Sequence, residues 1–187
     1  IRVCRVSRPT LVVVSGPGGS GKTTIAHEIA RAVGCPAICR DEIKEGMVHA
    51  TPGFVPAVSD PLTMRTFPTF FGVLQLLLDA GVTVVAEAAF QDRLWRQGLA
   101  PVAALADLRI VHCVVDAAVA HARMMRRTTD NPLRRAHVDG HEQVDVDERR
   151  RAHVAFDRVS LDVPTLTVDT SDGYNPSLQE IVTFINR

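Results

Sequence analysis

The chain has 187 residues, of which 46% are hydrophobic, and its 21 Lys and Arg residues balance 21 Asp and Glu residues. A net charge of zero disfavours sequence-independent nucleic-acid binding, which needs a broad positive field. No apolar run approaches the ~18 residues of a membrane span, and the first residues do not resemble a signal peptide. We therefore expect a single cytoplasmic domain over residues 1–187, in which the four cysteines are reduced and mostly buried.

Runs rich in Val and Ile alternate with helical stretches along the chain. These runs are nearly continuous in apolar residues, as in parallel strands buried on both faces. Strands are predicted at 10–16, 36–40, 82–90, 108–116 and 164–170. Helices are predicted at 23–33, 42–49, 62–80, 92–106 (interrupted near Gly98 and Pro101), 117–129, 144–156 and 177–186. The alternation predicts a three-layer α/β/α fold with a parallel sheet and helices on both faces.

Two segments depart from this alternation. Residues 51–61 contain three prolines and a glycine, which predicts a loop. Residues 128–143 are polar and contain paired arginines, which predicts a lid. Within the lid, His137 and His141 are four apart, but Gly140 between them favours solvated loop residues over a metal site.

A glycine-rich stretch follows the first predicted strand and opens the first predicted helix. It reads GPGGSGKT, residues 16–23, and matches the phosphate-loop pattern G-x-x-x-x-G-K-[ST] without substitution. The glycines let successive backbone N–H groups form a nest for phosphate oxygens, to which the helix adds its dipole. The pattern predicts an ATP site formed by Gly16, Pro17, Gly18, Gly19, Ser20, Gly21, Lys22, Thr23 and Thr24.

Two side chains of this loop have separate roles. Lys22 is expected to reach the β- and γ-phosphates, and the Thr23 hydroxyl is expected to bind Mg²⁺, a cation that prefers oxygen ligands. A purely structural glycine turn would not require the Lys-Thr pair at this offset. The chain lacks the N-K-x-D run of a switch GTPase and is too short for a second motor domain, so a small kinase remains.

Further motifs resemble the small phosphate-loop kinases, which include chloramphenicol phosphotransferase, zeta-toxin-type kinases and polynucleotide 5′-hydroxyl kinases. The resemblance, to kinases with an AAA-type ATP-binding domain, lies in RDEIKEGM (40–47), AGVTVVAEAAF (80–90), ARMMRRTTDNPLRR (122–135) and LTVDTSDGYNP (166–176). It implies an adenylate-kinase-like strand order 2-3-1-4-5, an Arg-rich lid, ATP with Mg²⁺, and transfer of a γ-phosphoryl group to a hydroxyl.

The same resemblance assigns two catalytic carboxylates. Asp41 would accept the proton of the attacking hydroxyl, although it could also, or instead, cap the helix expected from Glu42. Glu87 stands where these kinases usually have Asp. It would bind Mg²⁺ through water or orient the acceptor, and the alternative is a surface carboxylate at a strand end.

Arginines and hydroxyls complete the predicted site. Arg123 and Arg127 show the R-x-x-x-R spacing that begins the lid in these kinases, and one of them would stabilise the transferring group while another lies near the adenine. A solvated basic helix end is the alternative, and it is favoured for Arg126, Arg134 and Arg135. Thr170 and Ser171 are expected beside the adenine, unless their segment is an ordinary turn.

The acceptor is the least defined part of the prediction. The favoured reaction is phosphorylation of a small molecule such as an antibiotic or nucleoside, in an apolar pocket with Phe54, Val55, Phe67, Phe70 and Phe71. The alternatives are a polynucleotide 5′-hydroxyl kinase and an ATP-binding regulatory module with little or no hydrolysis. The sequence identifies neither the acceptor nor the oligomeric state.

Overall fold

The computed structural model describes residues 8–57, 60–130, 133, 136–137, 151 and 153–187. Five strands lie in this part of the chain: β1 Thr10–Ser15, β2 Ala37–Cys39, β3 Val84–Glu87, β4 Asp107–Val114 and β5 Thr165–Asp169. The helices named in the same part are α1 Lys22–Val33, α2 Arg40–His49, α3 Pro61–Asp79, α4 Asp92–Ala103, α5 Ala117–Asp130 and α6 Leu178–Ile185. The predicted helix at 144–156 and lid at 128–143 fall largely outside the described residues.

The strands form one parallel sheet in the order β2-β3-β1-β4-β5, which confirms the predicted fold class and strand order. Alternate residues of β1 face opposite layers. Leu11 and Val13 pack with side chains of α3 and α4, whereas Val12 and Val14 pack with side chains of α1 and α6. Because all the strands run the same way, their carboxyl ends meet at one edge, where open parallel sheets bind ligands.

The connection between β2 and α2 is tighter than the sequence suggests. The strand ends at Cys39 and the helix begins at Arg40 without a side-chain cap. The predicted helix start at Glu42 is therefore two residues late, and the alternative role of Asp41 as N-cap is wrong, because Asp41 lies in the first turn of α2. Asp116 caps α5, because its Oδ1 accepts hydrogen bonds from the N–H groups of Ala118 and Val119.

Helix α4 runs through Gly98 and Pro101, so the predicted interruption is also wrong. Pro101 lies in the last turn, where it removes one i→i−4 hydrogen bond close to the end of the helix. Gly98 serves packing between helices, because the ring of Phe71 occupies the space that a Cβ at this position would need. The sequence signal for a break was in fact a signal for close approach of α3 and α4.

The aromatic residues of α3 are packed in the core. Phe70 is fully buried, and its ring lies 5.3 Å from that of Phe71 and 5.8 Å from that of Trp95. Phe67 is 36% exposed, but its ring centroid lies 5.0 Å from that of Trp95. Phe67, Phe70 and Phe71 were expected to line an acceptor pocket. They pack instead in one aromatic cluster with Trp95.

A buried ion pair joins α2 to α3. Lys44 Nζ lies 2.8 Å from Asp60 Oδ2, and the two side chains are 4% and 2% exposed. Asp60 also caps α3 by accepting a hydrogen bond from the N–H of Thr63. Burial alone would raise the pKa of Asp60, but the hydrogen bonds from Lys44 and Thr63 outweigh it and hold the pKa at about 2. This pair fixes where α2, and hence Asp41, lies.

Cys39 and Cys113 are buried and Cys35 is half-buried, and all three are free thiols. Cys4 lies outside the described residues. None of the helices in the described ranges is long and apolar enough to cross a bilayer.

We predict that Gly98→Ala destabilises the protein by about 1–3 kcal/mol, because the added methyl group overpacks the α3–α4 contact against Phe71. Gly72→Ala is the matched control, since this α3 position is exposed and has open space around it. Because alanine has a higher helix propensity than glycine, Gly72→Ala should be more stable than the wild type by roughly 0.5–1 kcal/mol. Chemical denaturation followed by circular dichroism measures both, and equal stability of the two variants would contradict the packing argument.

We predict that Asp60→Asn costs about 3–5 kcal/mol, because it leaves the Lys44 ammonium buried without a counter-charge. Adding Lys44→Met should restore much of the loss. The folded pKa of about 2 lies below the unfolded value, so the wild-type pair stabilises fully above roughly pH 4 and loses this contribution as pH falls towards 2. Denaturation midpoints between pH 2 and pH 6 should therefore fall less steeply for the double variant, and identical slopes would exclude this role.

Candidate functional site

The phosphate loop lies against the backbone of the β4–α5 segment. A Cβ at Gly16 would come within 2.6 Å of the carbonyl oxygen of Cys113, and one at Gly19 would collide with the backbone of Ala120. Gly19 and Gly21 also have φ of 75° and 70°, in the left-handed region that favours glycine. Gly16 and Gly19 are thus required by close approach to the neighbouring backbone, and Gly21 by its left-handed φ, as well as by the phosphates they are predicted to bind.

Thr170, just beyond β5, locks the loop from the other side. Its buried hydroxyl lies 2.9 Å from the Ser20 carbonyl oxygen and 3.2 Å from that of Val114. Arg123 of α5 donates to the carbonyl oxygens of Thr170, at 2.7 Å, and Ser171, at 3.3 Å. Three separate segments of the chain therefore hold the loop in one position.

Glu87 ends β3 directly beneath the loop and is 3% exposed. Its Oε2 accepts a hydrogen bond from the Thr23 hydroxyl at 3.3 Å, and its Oε1 lies 3.9 Å from Lys22 Nζ. Burial raises the pKa of Glu87, the positive charge of Lys22 opposes this, and the neighbouring Asp41 raises the pKa further. Glu87 is therefore not the surface carboxylate that the sequence also allowed.

The donor set beside Lys22 fits Mg²⁺. Thr23 and Glu87 place a hydroxyl and a carboxylate oxygen side by side next to the phosphate loop. Mg²⁺ prefers oxygen ligands of this kind, together with substrate phosphates and water. The buried carboxylate, with only partial compensation from Lys22, is the feature that makes this position suitable for a cation.

Two cavities lined by described residues open at this edge of the sheet. The loop cavity has a volume of about 560 Å³ and is lined by Gly19, Gly21, Lys22, Thr23, Thr24, Arg123, Met124, Arg126, Arg127, Asp130, Thr170, Gly173 and Tyr174. The α2 cavity has a volume of about 460 Å³ and is lined by Thr23, Asp41, Glu42, Glu45, Gly46, His49, Arg127 and Leu133. Thr23 and Arg127 belong to both linings, so the cavities meet at these two residues.

Most of the predicted site residues converge here. The lining of the loop cavity contains several of them, as given above. Gly16, Pro17, Gly18 and Ser20 are not in that lining but form the backbone of the loop. Ser171 is an exception, because it is absent from the described linings and its hydroxyl accepts a hydrogen bond from the N–H of Asp116. Arg134, Arg135 and His141 lie outside the described residues.

Asp41 lines the α2 cavity and accepts a hydrogen bond from Arg40 Nη1 at 3.0 Å. The same cavity contains residues that sequence reasoning missed, namely Glu45 and His49 on the face of α2 that follows Asp41. Their spacing of four would have indicated a shared helix face. Glu45 Oε1 also lies 3.2 Å from Nε2 of His137, a residue of the predicted lid.

Tyr174 was missed in the loop cavity. It is the one tyrosine of the chain and lies in the segment after β5. Its position in a turn beside the predicted adenine residues was the available signal. Together the two cavities offer a site for a nucleotide phosphate tail and, next to it, a polar site for a second molecule.

The model of an AAA domain family, AAA_33, matches residues 11–153. This range is more than half of the chain, so the chain belongs to that family. No curated protein matches it.

Solved structures with this fold include several kinases. An inferred kinase from Chloroflexus aurantiacus j-10-fl matches with a TM-score of 0.85 at 21% identity, covering 96% of this chain and 98% of that one. A gluconokinase from Sinorhizobium meliloti 1021 matches with a TM-score of 0.59 at 21% identity, covering 96% and 93%. A chain of the Pnkp1/Rnl/Hen1 RNA repair complex matches with a TM-score of 0.60 at 17% identity, covering 78% of this chain and 43% of that one. The resemblance to small phosphate-loop kinases is thereby confirmed at the level of family and fold.

We predict that Thr170→Val costs about 1–3 kcal/mol, because it leaves the buried Ser20 carbonyl without its donor. The phosphate loop should loosen, so affinity for ATP should fall as well. Thr183→Val is the control, since this exposed hydroxyl binds only the Gln179 carbonyl within its own helix, and it should change stability by less than about 0.5 kcal/mol. Urea denaturation and calorimetric titration with ATP measure the two effects. Equal results for both variants would refute the locking role.

Proposed function

We propose that the protein is an ATP- and Mg²⁺-dependent kinase that transfers the γ-phosphoryl group to a hydroxyl of a small molecule. The observation that carries the proposal is the meeting of the loop cavity with the α2 cavity at Thr23 and Arg127. A triphosphate bound by the loop would end at this junction, and an acceptor in the α2 cavity would face it. Asp41 lines the acceptor side.

In this mechanism the loop amides and Lys22 bind the phosphates and hold the γ-phosphoryl group towards the α2 cavity. Asp41 orients the acceptor hydroxyl and accepts its proton. When bound at Thr23 and Glu87, Mg²⁺ would neutralise charge on the phosphate oxygens. Because water is itself a competing hydroxyl, a lid over about 128–143 would close the site before transfer. We propose that the lid and the rest of residues 1–187 form a single domain.

The two leading arginines have different surroundings. Arg123 is held by the carbonyls of Thr170 and Ser171, which suits a residue that shapes the nucleotide site. Arg127 lines both cavities, so it is the better placed of the two to stabilise charge on the group in transfer. Arg126 lines only the loop cavity. We therefore assign the transition-state role to Arg127 and a positioning role to Arg123.

The lining of the α2 cavity favours a small, polar acceptor. Its volume of about 460 Å³ suits a small molecule. Asp41, Glu42 and Glu45 contribute carboxylates to it. A polyanionic 5′ end would be repelled by these groups, which weighs against the polynucleotide alternative along with the zero net charge of the chain.

A reaction that consumes ATP fits a cytoplasmic protein, which is the location that we propose.

The remaining alternative is an ATP-binding regulatory module. ATP binding alone would require only the phosphate loop. The carboxylate of Asp41 across the junction is an additional feature that favours a kinase over this alternative. The test is a screen of sugars, antibiotics, nucleosides and oligonucleotides for an ATP-dependent mass gain of one phosphate. A product among the small molecules supports the proposal. A product only among oligonucleotides, or none although ATP binds, supports one of the alternatives.

With the acceptor found, Asp41→Asn should lower kcat by about 10²–10⁴-fold, because the variant cannot accept the hydroxyl proton. Affinity for ATP should stay within about threefold, as Asp41 lines only the α2 cavity. Glu45→Gln is the control, since it removes one carboxylate from the same cavity without removing the base. Steady-state kinetics and ATP titration distinguish the two. Unchanged turnover in Asp41→Asn would remove this residue from the mechanism.

A further inference from the structure

Three metal-binding side chains meet beside the site and have no assigned role in the chemical step, although Glu42 also lines the α2 cavity. They are His27 of α1, Cys39 at the end of β2 and Glu42 in the first turn of α2. His27 Nε2 lies 2.7 Å from Glu42 Oε1 and 3.6 Å from Cys39 Sγ. All three donor atoms lie within 4.8 Å of one another.

These distances can be compared with a tetrahedral site. Zn–S bonds of about 2.3 Å and Zn–N or Zn–O bonds of about 2.0–2.1 Å imply S···N edges of about 3.6 Å and N···O edges of about 3.3 Å. The distance of 3.6 Å between Cys39 Sγ and His27 Nε2 already equals the tetrahedral S···N edge. The His27–Glu42 distance is that of a hydrogen bond and must open by a few tenths of an ångström. Both side chains are nearly half exposed, at 44% and 46%, and so can move outwards around the buried thiol.

We propose that His27, Cys39 and Glu42 form a binding site for a thiophilic divalent cation of the Zn²⁺ class. Three protein ligands leave the fourth tetrahedral position to water, reached from the exposed side of His27 and Glu42. Thiolate and imidazole ligands select such cations over Mg²⁺ and Ca²⁺, which prefer oxygen. The site is therefore chemically distinct from the pair formed by Thr23 and Glu87.

Binding requires a proton to leave. The Cys39 Sγ–H bond breaks, the proton passes to solvent, and the thiolate bonds to the cation. The His27 ring binds through an unprotonated Nε2 and keeps its proton on Nδ1. Burial, with the carboxylates of Glu87 and Glu42, raises the pKa of the Cys39 thiol, so without a cation this residue is a neutral thiol.

The position of the cluster implies a consequence for the reaction. Cys39 pairs in register with Glu87 across the sheet, and His27 lies one helical turn beyond Thr23 on the same face of α1. A bound cation would add positive charge next to the Mg²⁺ ligands and tie down Glu42, the neighbour of Asp41. Inhibition of the kinase by this cation follows, and only this consequence rests on the proposed function.

The binding itself is tested without any assay of activity. Co²⁺ is titrated into the full, untagged chain in the absence of nucleotide and of other metals. We expect one Co²⁺ per chain and a sulfur-to-cobalt charge-transfer band in the near ultraviolet. Stoichiometric Zn²⁺ should remove the band, whereas excess Mg²⁺ should not. A wild-type chain without the band overturns the proposal, whatever its kinase activity.

Variants assign the ligands. Cys39→Ser should abolish the band, while Cys35→Ser is the matched control and should keep it, because Cys35 lies outside the cluster. Should Cys39→Ser fail to fold, His27→Gln preserves the thiol and should weaken Co²⁺ affinity about tenfold or more, since even supporting groups of metal sites have effects of about 10–100-fold. A band that survives Cys39→Ser, disappears in Cys35→Ser or is unaffected by His27→Gln would refute the site.

Discussion

The close contact between the phosphate loop and the β4–α5 segment is the constraint on which the candidate site depends. A Cβ at Gly16 would collide with the carbonyl of Cys113 and one at Gly19 with the backbone of Ala120, so neither position admits a side chain. With its outer side fixed in this way, the loop presents its inner side to the cavity between α1 and α5. The hydroxyl of Thr170 closes the arrangement from β5. The glycines therefore allow the loop to pack closely against the neighbouring backbone.

The second requirement is the placement of negative charge near this loop. Glu87 is held in the protein interior at the end of β3, where its carboxylate is stabilised by Lys22 and by the Thr23 hydroxyl. Asp41 reaches the same region from α2, and the ion pair between Lys44 and Asp60 fixes that helix against α3. Two carboxylates thus approach one junction from different elements, one buried and one facing a cavity. This asymmetry matches the proposed mechanism, in which Glu87 would bind the cation and Asp41 would accept the proton.

Local patterns predicted a large part of this architecture, and packing between distant elements explains the rest. The apolar runs predicted all five strands, and the match at residues 16–23 predicted the loop, because both signals are contained within short segments. Gly98 and Phe70 were misinterpreted since their roles depend on contacts between α3 and α4, which no local pattern records. The start of α2 was predicted at Glu42, with an N-cap as the alternative role of Asp41, because nothing in the sequence shows that β2 ends at Cys39. The cluster of His27, Cys39 and Glu42 joins three elements and was invisible for the same reason.

The chain has one tryptophan and one tyrosine, and the fold separates them. Trp95 is 7% exposed among the rings of α3 and Phe90, on the face of the sheet opposite to α1. Tyr174 lines the loop cavity, where burial and the neighbouring Glu28 raise its pKa to about 12, so it remains a neutral phenol at physiological pH. The protein thus carries two intrinsic optical probes with distinct assignments. Indole emission reports on the packing around Trp95, and phenol absorbance reports on the surroundings of Tyr174, without any attached dye.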